Sequence, residues 1–296
     1  MDDVKVAVVD VGSNTVRLLV GDVRGTSIET LHEERVFLGL GAEILEHGRI
    51  RPRKLREVTQ VAEGYASTAR RHGARALETV VTAPGRQGES SEALTAALVR
   101  ATAAPVRVVS ADEEGRLAFA GAISRAGAVE GVVAVCDVGG GSTEVVVGTP
   151  VLGAAWVRSV DIGSLRLTAA LLHDDPPSAD QVAAAREAVT TALAPLVPPR
   201  PALALATGGS ARAIAKAVGG AYGPDELEQI VRILSRHPAA ATAKTFRVEH
   251  DRARSLLAGA LILKGVSELL DAPFVPARGG IREGAALALA AQRAAA

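Results

Sequence analysis

Residues 133–148 read VAVCDVGGGSTEVVVG: an apolar run that ends at Asp137, a Gly-Gly-Gly-Ser-Thr turn, and a second β-branched run. Residues 6–21 read VAVVDVGSNTVRLLVG and align with this stretch without a gap. The pairs Val6/Val133, Ala7/Ala134, Val8/Val135, Asp10/Asp137, Val11/Val138, Gly12/Gly139, Val20/Val147 and Gly21/Gly148 are identical. One architectural unit is therefore used twice.

In each copy a turn is followed by strand pattern, not by helical periodicity, so each is expected to be a β-hairpin. A dinucleotide fingerprint needs its glycine turn to open a helix, and the G-x-G-x-x-G spacing is absent. A Gly/Ser/Thr/Asn hairpin can instead turn several backbone N–H groups toward one point and form an anion-binding concavity. The carboxylate at the strand end, Asp10 or Asp137, can hold a hard cation, which prefers oxygen ligands. Two such hairpins facing across a cleft would grip a phosphate chain from both sides.

The pair Asp10-Val-Gly-Ser-Asn14 and Asp137-Val-Gly-Gly-Gly-Ser-Thr-Glu144 resembles the two phosphate loops of the exopolyphosphatase and guanosine pentaphosphate phosphohydrolase family. That family belongs to the duplicated actin-like ATPase folds. The resemblance implies an α/β chain of two duplicated actin-like (ribonuclease H-like) domains with a cleft between them. The expected division is residues 1–124 and 125–296, with a hinge in residues 121–131.

Further segments carry the resemblance along the chain. Ser110-Ala-Asp-Glu-Glu-Gly-Arg-Leu117 is a capping-box helix start by its own pattern, and it matches a family segment whose second Glu is the general base, here Glu114. Arg86 falls where a family arginine reaches the substrate phosphates, although Pro84, Gly85 and Gly88 replace residues that usually start a helix. Glu144 stands where the first copy has Arg17, and the resemblance places it with Asp137 at the metal or the attacking water, while Asp10, the strand-end carboxylate of the first copy, is the further expected metal ligand. Residues 158–172 resemble a strand-Gly-x-x-Arg-Leu-Thr element, and residues 274–284 a closing strand and Arg-Glu-Gly helix start, with Arg282 expected to brace the cleft without touching substrate. In the helix at 251–270 Arg254 stands where the family has Asp, a charge reversal expected to disturb an interdomain pair.

The implied activity is release of the terminal phosphate of inorganic polyphosphate by Glu114-activated water, with Glu144 as a second catalytic carboxylate. The implied cofactor is Mg2+, with Mn2+ and a monovalent cation such as K+ compatible. Substrate contacts are expected from Gly12, Ser13, Asn14, Arg86, Gly139, Gly140, Gly141, Ser142 and Thr143. Gly208, Gly209 and Ser210 form a strand-turn-helix that can meet an anion at a helix start or simply pack closely. Guanosine pentaphosphate is the alternative substrate. The rival of another class is a non-hydrolytic sensor of either ligand.

Composition is consistent with these expectations. The chain of 296 residues is 48% hydrophobic, enough for two cores. Its 33 basic and 33 acidic residues balance, and aromatics are 2%, which argues against a nucleic-acid binder built on charge or base stacking. The single cysteine, Cys136, lies in an apolar run and is expected to be a buried core residue. The acidic start MDDVKVAVVD is unlike a signal peptide, and no apolar run is long enough to span a bilayer. A cytoplasmic homodimer without membrane or nucleic-acid partners is the expectation. Gly39 to Gly48 is expected to be a loop, followed by a helix at residues 53–71.

Overall fold

The computed structural model describes residues 4–86 and 91–294. Backbone contacts divide the chain into residues 1–127 with 279–296, and residues 128–278.

In the first unit the strands are β1 (Val4–Val11), β2 (Thr15–Arg24), β3 (Ser27–Phe37), β4 (Ala76–Val81) and β5 (Val106–Val108). The helices α1 (Leu40–His47), α2 (Pro52–Arg71), α3 (Ala83–Arg86), α4 (Ser91–Thr102) and α5 (Ala111–Ile123) connect or follow them. The second unit holds β6 (Val133–Val138), β7 (Thr143–Thr149), β8 (Gly153–Val160), β9 (Leu203–Thr207) and β10 (Phe274–Pro276). Its helices are α6 (Ser164–Leu171), α7 (Ala179–Leu193), α8 (Gly208–Val218), α9 (Pro224–Leu234), α10 (Ala239–Phe246) and α11 (His250–Leu270). The final helix, α12 (Ile281–Ala294), returns to the first unit.

The sheets run β3-β2-β1-β4-β5 and β10-β9-β6-β7-β8, the same order read from opposite ends. In each, three antiparallel strands form a meander and the first strand then pairs in parallel with the fourth. The repeat in sequence is thus a repeat in topology. The identical Val-Gly pairs have a local cause, because the ladder register shifts between Val20 and Gly21 and again between Val147 and Gly148. A bulge bends the second strand at the same place in both copies. At Gly148 a side chain would run into the Gly153 carbonyl.

β1 is buried on both faces, as parallel-paired central strands are. Ala7, Val9 and Val11 join a core with Val58, Tyr65 and Leu98, while Val6 and Val8 join another with Leu117, Ala285 and Leu289. In the second unit Cys136, Val145, Ile214, Leu256 and Ile262 share one core. Burial pushes the Cys136 thiol well up, helped by Asp137 and Glu144, so it is an inert core residue.

The structure departs from the sequence expectation in two places. Gly39 and Gly48 do not flank a loop but cap α1, both in the left-handed region at φ 62° and 70°. Residues 279–296 belong with the first unit, not with residues 125–278, because Ala285, Ala286 and Leu289 bury against β1 and α5. Among the described residues no helix is long and apolar enough to cross a membrane.

Candidate active site

Each hairpin closes in the same way. The Gly12 N–H donates to the Thr15 carbonyl at 3.1 Å and the Gly139 N–H to the Ser142 carbonyl at 3.0 Å, so these two amides close their turns and are spent. Thr143 is fully buried and its hydroxyl donates to the Ile162 carbonyl at 2.6 Å, so its side chain is committed too. Ser13, Asn14 and Ser142 are also buried, and Asn14 Oδ1 has no hydrogen-bond partner among the described residues.

The strand-end carboxylates have opposite surroundings. Asp10 lies directly across the hairpin from Arg17, whereas Asp137 lies directly across from Glu144. Desolvation pushes the Asp10 carboxyl up, against the pull of Arg17 and Arg282, with Glu283 adding to the push. In the second unit two buried acids face each other instead, Asp137 at 8% exposure and Glu144 at 1%. Directly opposed like charges are unfavourable. Ser159 Oγ donates to Glu144 Oε1 at 2.8 Å and orients it. One or two carboxylates completed by water and phosphate oxygens is how Mg2+ is commonly bound. The Asp137/Glu144 pair fits that requirement, and Asp10, compensated by Arg17, fits it less well. Among the described residues no group of three or more His, Cys, Asp or Glu side chains converges.

Glu114 sits in the first turn of α5, whose start carries the capping box expected from sequence. Ser110 Oγ accepts from the Glu113 N–H at 3.2 Å, and Glu113 Oε2 accepts from the Ser110 N–H at 2.8 Å. Glu113 is thereby used as a cap, which leaves Glu114 on the inward face at 5% exposure. Arg86 Nη1 stands 2.8 Å from Glu114 Oε2 and donates to the Val109 carbonyl at 2.8 Å. Pro84 and Gly85 do not prevent a helical turn, since residues 83–86 form α3. Gly88 lies outside the described residues.

The β9–α8 turn meets the second hairpin. Gly208 adopts φ 94°, and a Cβ there would stand 3.0 Å from Asp137 Oδ1. A side chain at Gly209 would strike the Arg252 guanidinium. Ser210 is fully buried, and a Cβ at Gly259 of α11 would run into it, so it serves helix packing. Arg252 was not singled out by sequence pattern. Only the contact with Gly209 reveals this cation beside the start of α8.

Two further arginines singled out by the sequence, Arg254 and Arg282, make contacts inside a unit. Arg254 donates to the carbonyls of Asp174 and His173 at 3.1 and 3.2 Å, with Asp175 at 3.6 Å. Its charge is thus used inside the second unit. Arg282 donates to the Leu18 carbonyl at 3.3 Å and pairs with Glu33 at 2.9 Å, bracing β2 and β3.

The family model described as the Ppx/GppA phosphatase family matches residues 19–292. This chain belongs to the Ppx/GppA phosphatase family. Exopolyphosphatase 2 of Mycobacterium tuberculosis is 33% identical over 201 residues, 64% of this chain and 62% of that protein, so the match spans less than two thirds of that relative. Exopolyphosphatase 1 of the same organism is 30% identical over 284 residues, 90% of this chain and 82% of the relative. The crystal structure of the Aquifex aeolicus member of the Ppx/GppA family superposes with a TM-score of 0.85 at 25% identity, covering 99% of both chains. The two five-stranded mixed sheets are those of the two-domain actin-like fold of this family.

Proposed function

We propose that this Ppx/GppA chain is an exopolyphosphatase that releases orthophosphate from the end of inorganic polyphosphate. The observation that carries the reading is the buried, directly opposed pair Asp137 and Glu144 at the end of a glycine loop, in a chain whose relatives are named exopolyphosphatases. Two acids so placed call for a cation, and a glycine loop calls for an anion.

Glu114 accepts the proton of a water whose oxygen attacks the terminal phosphorus. The bridging P–O bond breaks, orthophosphate leaves, and the polymer is one unit shorter. Arg86 exchanges Glu114 for a phosphate oxygen as substrate arrives, and its charge then lies on the transferred group while the carboxylate turns to water. N–H groups of Asn14, Gly140 and Gly141 hold phosphate oxygens without the reorganisation that water would need. Asp137 and Glu144 would hold Mg2+, which when bound offsets charge on the transferred phosphoryl group.

The test is orthophosphate release from long-chain polyphosphate and from guanosine pentaphosphate, with and without Mg2+. Wild type is expected to release phosphate from polyphosphate only with the metal, and Glu114→Gln to lose about 100-fold or more. Release from the nucleotide alone would reassign the substrate. Tight binding of either ligand without release by wild type would replace the enzyme reading with a sensor.

A further inference from the structure

The two phosphate loops are backed by the same device. In the second unit the Gly139 carbonyl accepts from the Ser164 N–H at 2.9 Å and from its hydroxyl at 3.1 Å. The Gly140 carbonyl accepts from the N–H groups of Leu165 and Arg166, each at 3.0 Å. In the first unit the Ser13 carbonyl accepts from the Gly41 N–H at 2.7 Å, and the Asn14 carbonyl from Leu38 and Gly39 at 2.9 and 3.0 Å. The donors lie at or just before the start of α6 and of α1, each an 8-residue helix with glycine, Gly163 or Gly39, at its N-cap. The first N–H groups of a helix have no partner within it. Here the loop carbonyls supply partners.

The consequence follows from peptide planarity. In a trans peptide the carbonyl of one residue and the N–H of the next point in opposite directions. Holding the carbonyls of Gly139 and Gly140 on the α6 side therefore turns the N–H groups of Gly140 and Gly141 to the other side. The same constraint on the Ser13 carbonyl turns the Asn14 N–H away from α1. By the alignment of the two hairpins Ser13 matches Gly140 and Asn14 matches Gly141, so the carbonyl at the Ser13/Gly140 position is held in both copies, while the second held carbonyl precedes it in the second unit (Gly139) and follows it in the first (Asn14).

We infer that α6 is a clamp that fixes the peptide orientation of the second phosphate loop, with Gly163 as its positioning residue, and that α1 with Gly41 does the same for the first. Gly163 sits at φ −134° and ψ 165°, extended backbone that any residue adopts. Proximity, not conformation, demands glycine there, because a Cβ would stand 2.5 Å from the Gly140 carbonyl. A Cβ at Gly41 would stand 2.8 Å from Ser13 Cβ. Gly163→Ala pushes α6 off the loop and releases both carbonyls. The loop N–H groups then lose their shared direction without any group being lost from the site.

This inference rests on the phosphate-loop reading above, and the experiment separates the two. Full-length wild type, Gly163→Ala and Gly265→Ala are compared for KM and kcat on polyphosphate, for Tm, and for amide shifts of Gly140 and Gly141 on titration with inorganic phosphate. Gly265→Ala is the crowding control, since a Cβ there would stand 2.7 Å from Val189 Cγ1 in the same unit. Both variants are expected to lower Tm. Only Gly163→Ala is expected to raise KM, by roughly tenfold, and to abolish the phosphate-induced shifts. Equal KM and retained shifts in Gly163→Ala would overturn the clamp, as would wild-type amides that ignore phosphate. Shifts that vanish in Gly163→Ala while wild type releases no orthophosphate would uphold the clamp and remove the polyphosphatase reading. If Gly163→Ala does not fold, Ser164→Ala deletes only the hydroxyl donor to Gly139. A few-fold rise in KM supports the clamp there, and wild-type KM with unchanged shifts overturns it.

Discussion

Arg86 has a role in the resting fold that is separable from the one proposed for it toward substrate. With Glu114 at 5% exposure and the guanidinium 2.8 Å away, removal of Arg86 takes a cation from beside a buried carboxylate. Breaking a fully buried pair costs about 3–5 kcal/mol, and the 23% exposure of the Arg86 side chain lowers the expectation to about 1–3 kcal/mol. Arg86→Leu should therefore lower unfolding stability in denaturant titrations. Adding Glu114→Leu should recover part of the loss, a coupling that a double-mutant cycle measures. Strict additivity would show that the pair does not matter to the fold. Polyphosphate hydrolysis should fall in both single variants. At this scale Glu114 and Arg86 were singled out because each sits in a local pattern that matches the family, and the structure sets them side by side. Arg252 was not, because a lone arginine near a helix start has no pattern until tertiary packing sets it against Gly209. The committed N–H groups of Gly12 and Gly139 were equally hidden, since only the closed turn shows which amides are spent.

Among elements, α5 ties Glu114, the proposed general base, to a helix cap, and this makes a pH effect. The Ser110 N–H holds the Glu113 carboxyl below its ordinary 4.5, with Arg107 at 3.4 Å a smaller contributor. A carboxyl whose folded value is depressed contributes stability that is fully present above the ordinary value and is lost as pH falls through the depressed one. The Tm difference between wild type and Glu113→Gln should thus be complete at neutral pH and shrink as pH falls below 4.5. A difference that persists unchanged in acid would assign the effect to packing. Ser110→Ala removes the other half of the box and should cost about 1 kcal/mol. This helix start was readable because Ser110 and Glu113 stand at the spacing of a capping box. The helix α1 was misread for a related reason: glycines usually mark loops, yet Gly39 and Gly48 both take positive φ as caps, and Leu40 and Ile44 bury between them. Composition alone does not separate a capped short helix from a loop.

For the whole molecule, duplication was legible from two aligned hairpins, while the assignment of the last helix was not. Sequence order places residues 279–296 after the second unit, and only burial of Ala285, Ala286 and Leu289 against β1 and α5 returns them to the first. The crossing of α5 and α12 is made of glycines. A side chain at Gly121 would strike the Gly280 carbonyl, one at Gly279 the Gly121 carbonyl, and one at Gly284 the Leu117 carbonyl. Backbone stands against backbone there, so no rotamer change can relieve an added group. Overpacking typically costs 1–3 kcal/mol where side chains can shift, and Gly284→Val should reach about 3 kcal/mol or more. The first unit lacks one of its layers until α12 arrives, so the loss should stay in that unit. Amide hydrogen exchange should show weakened protection across β1, β2 and α5 in Gly284→Val, with β6, β7 and α11 retaining wild-type protection. Equal loss across both units would mean that they unfold as one cooperative body, and the return of the chain to its first unit would then stabilise the second as well.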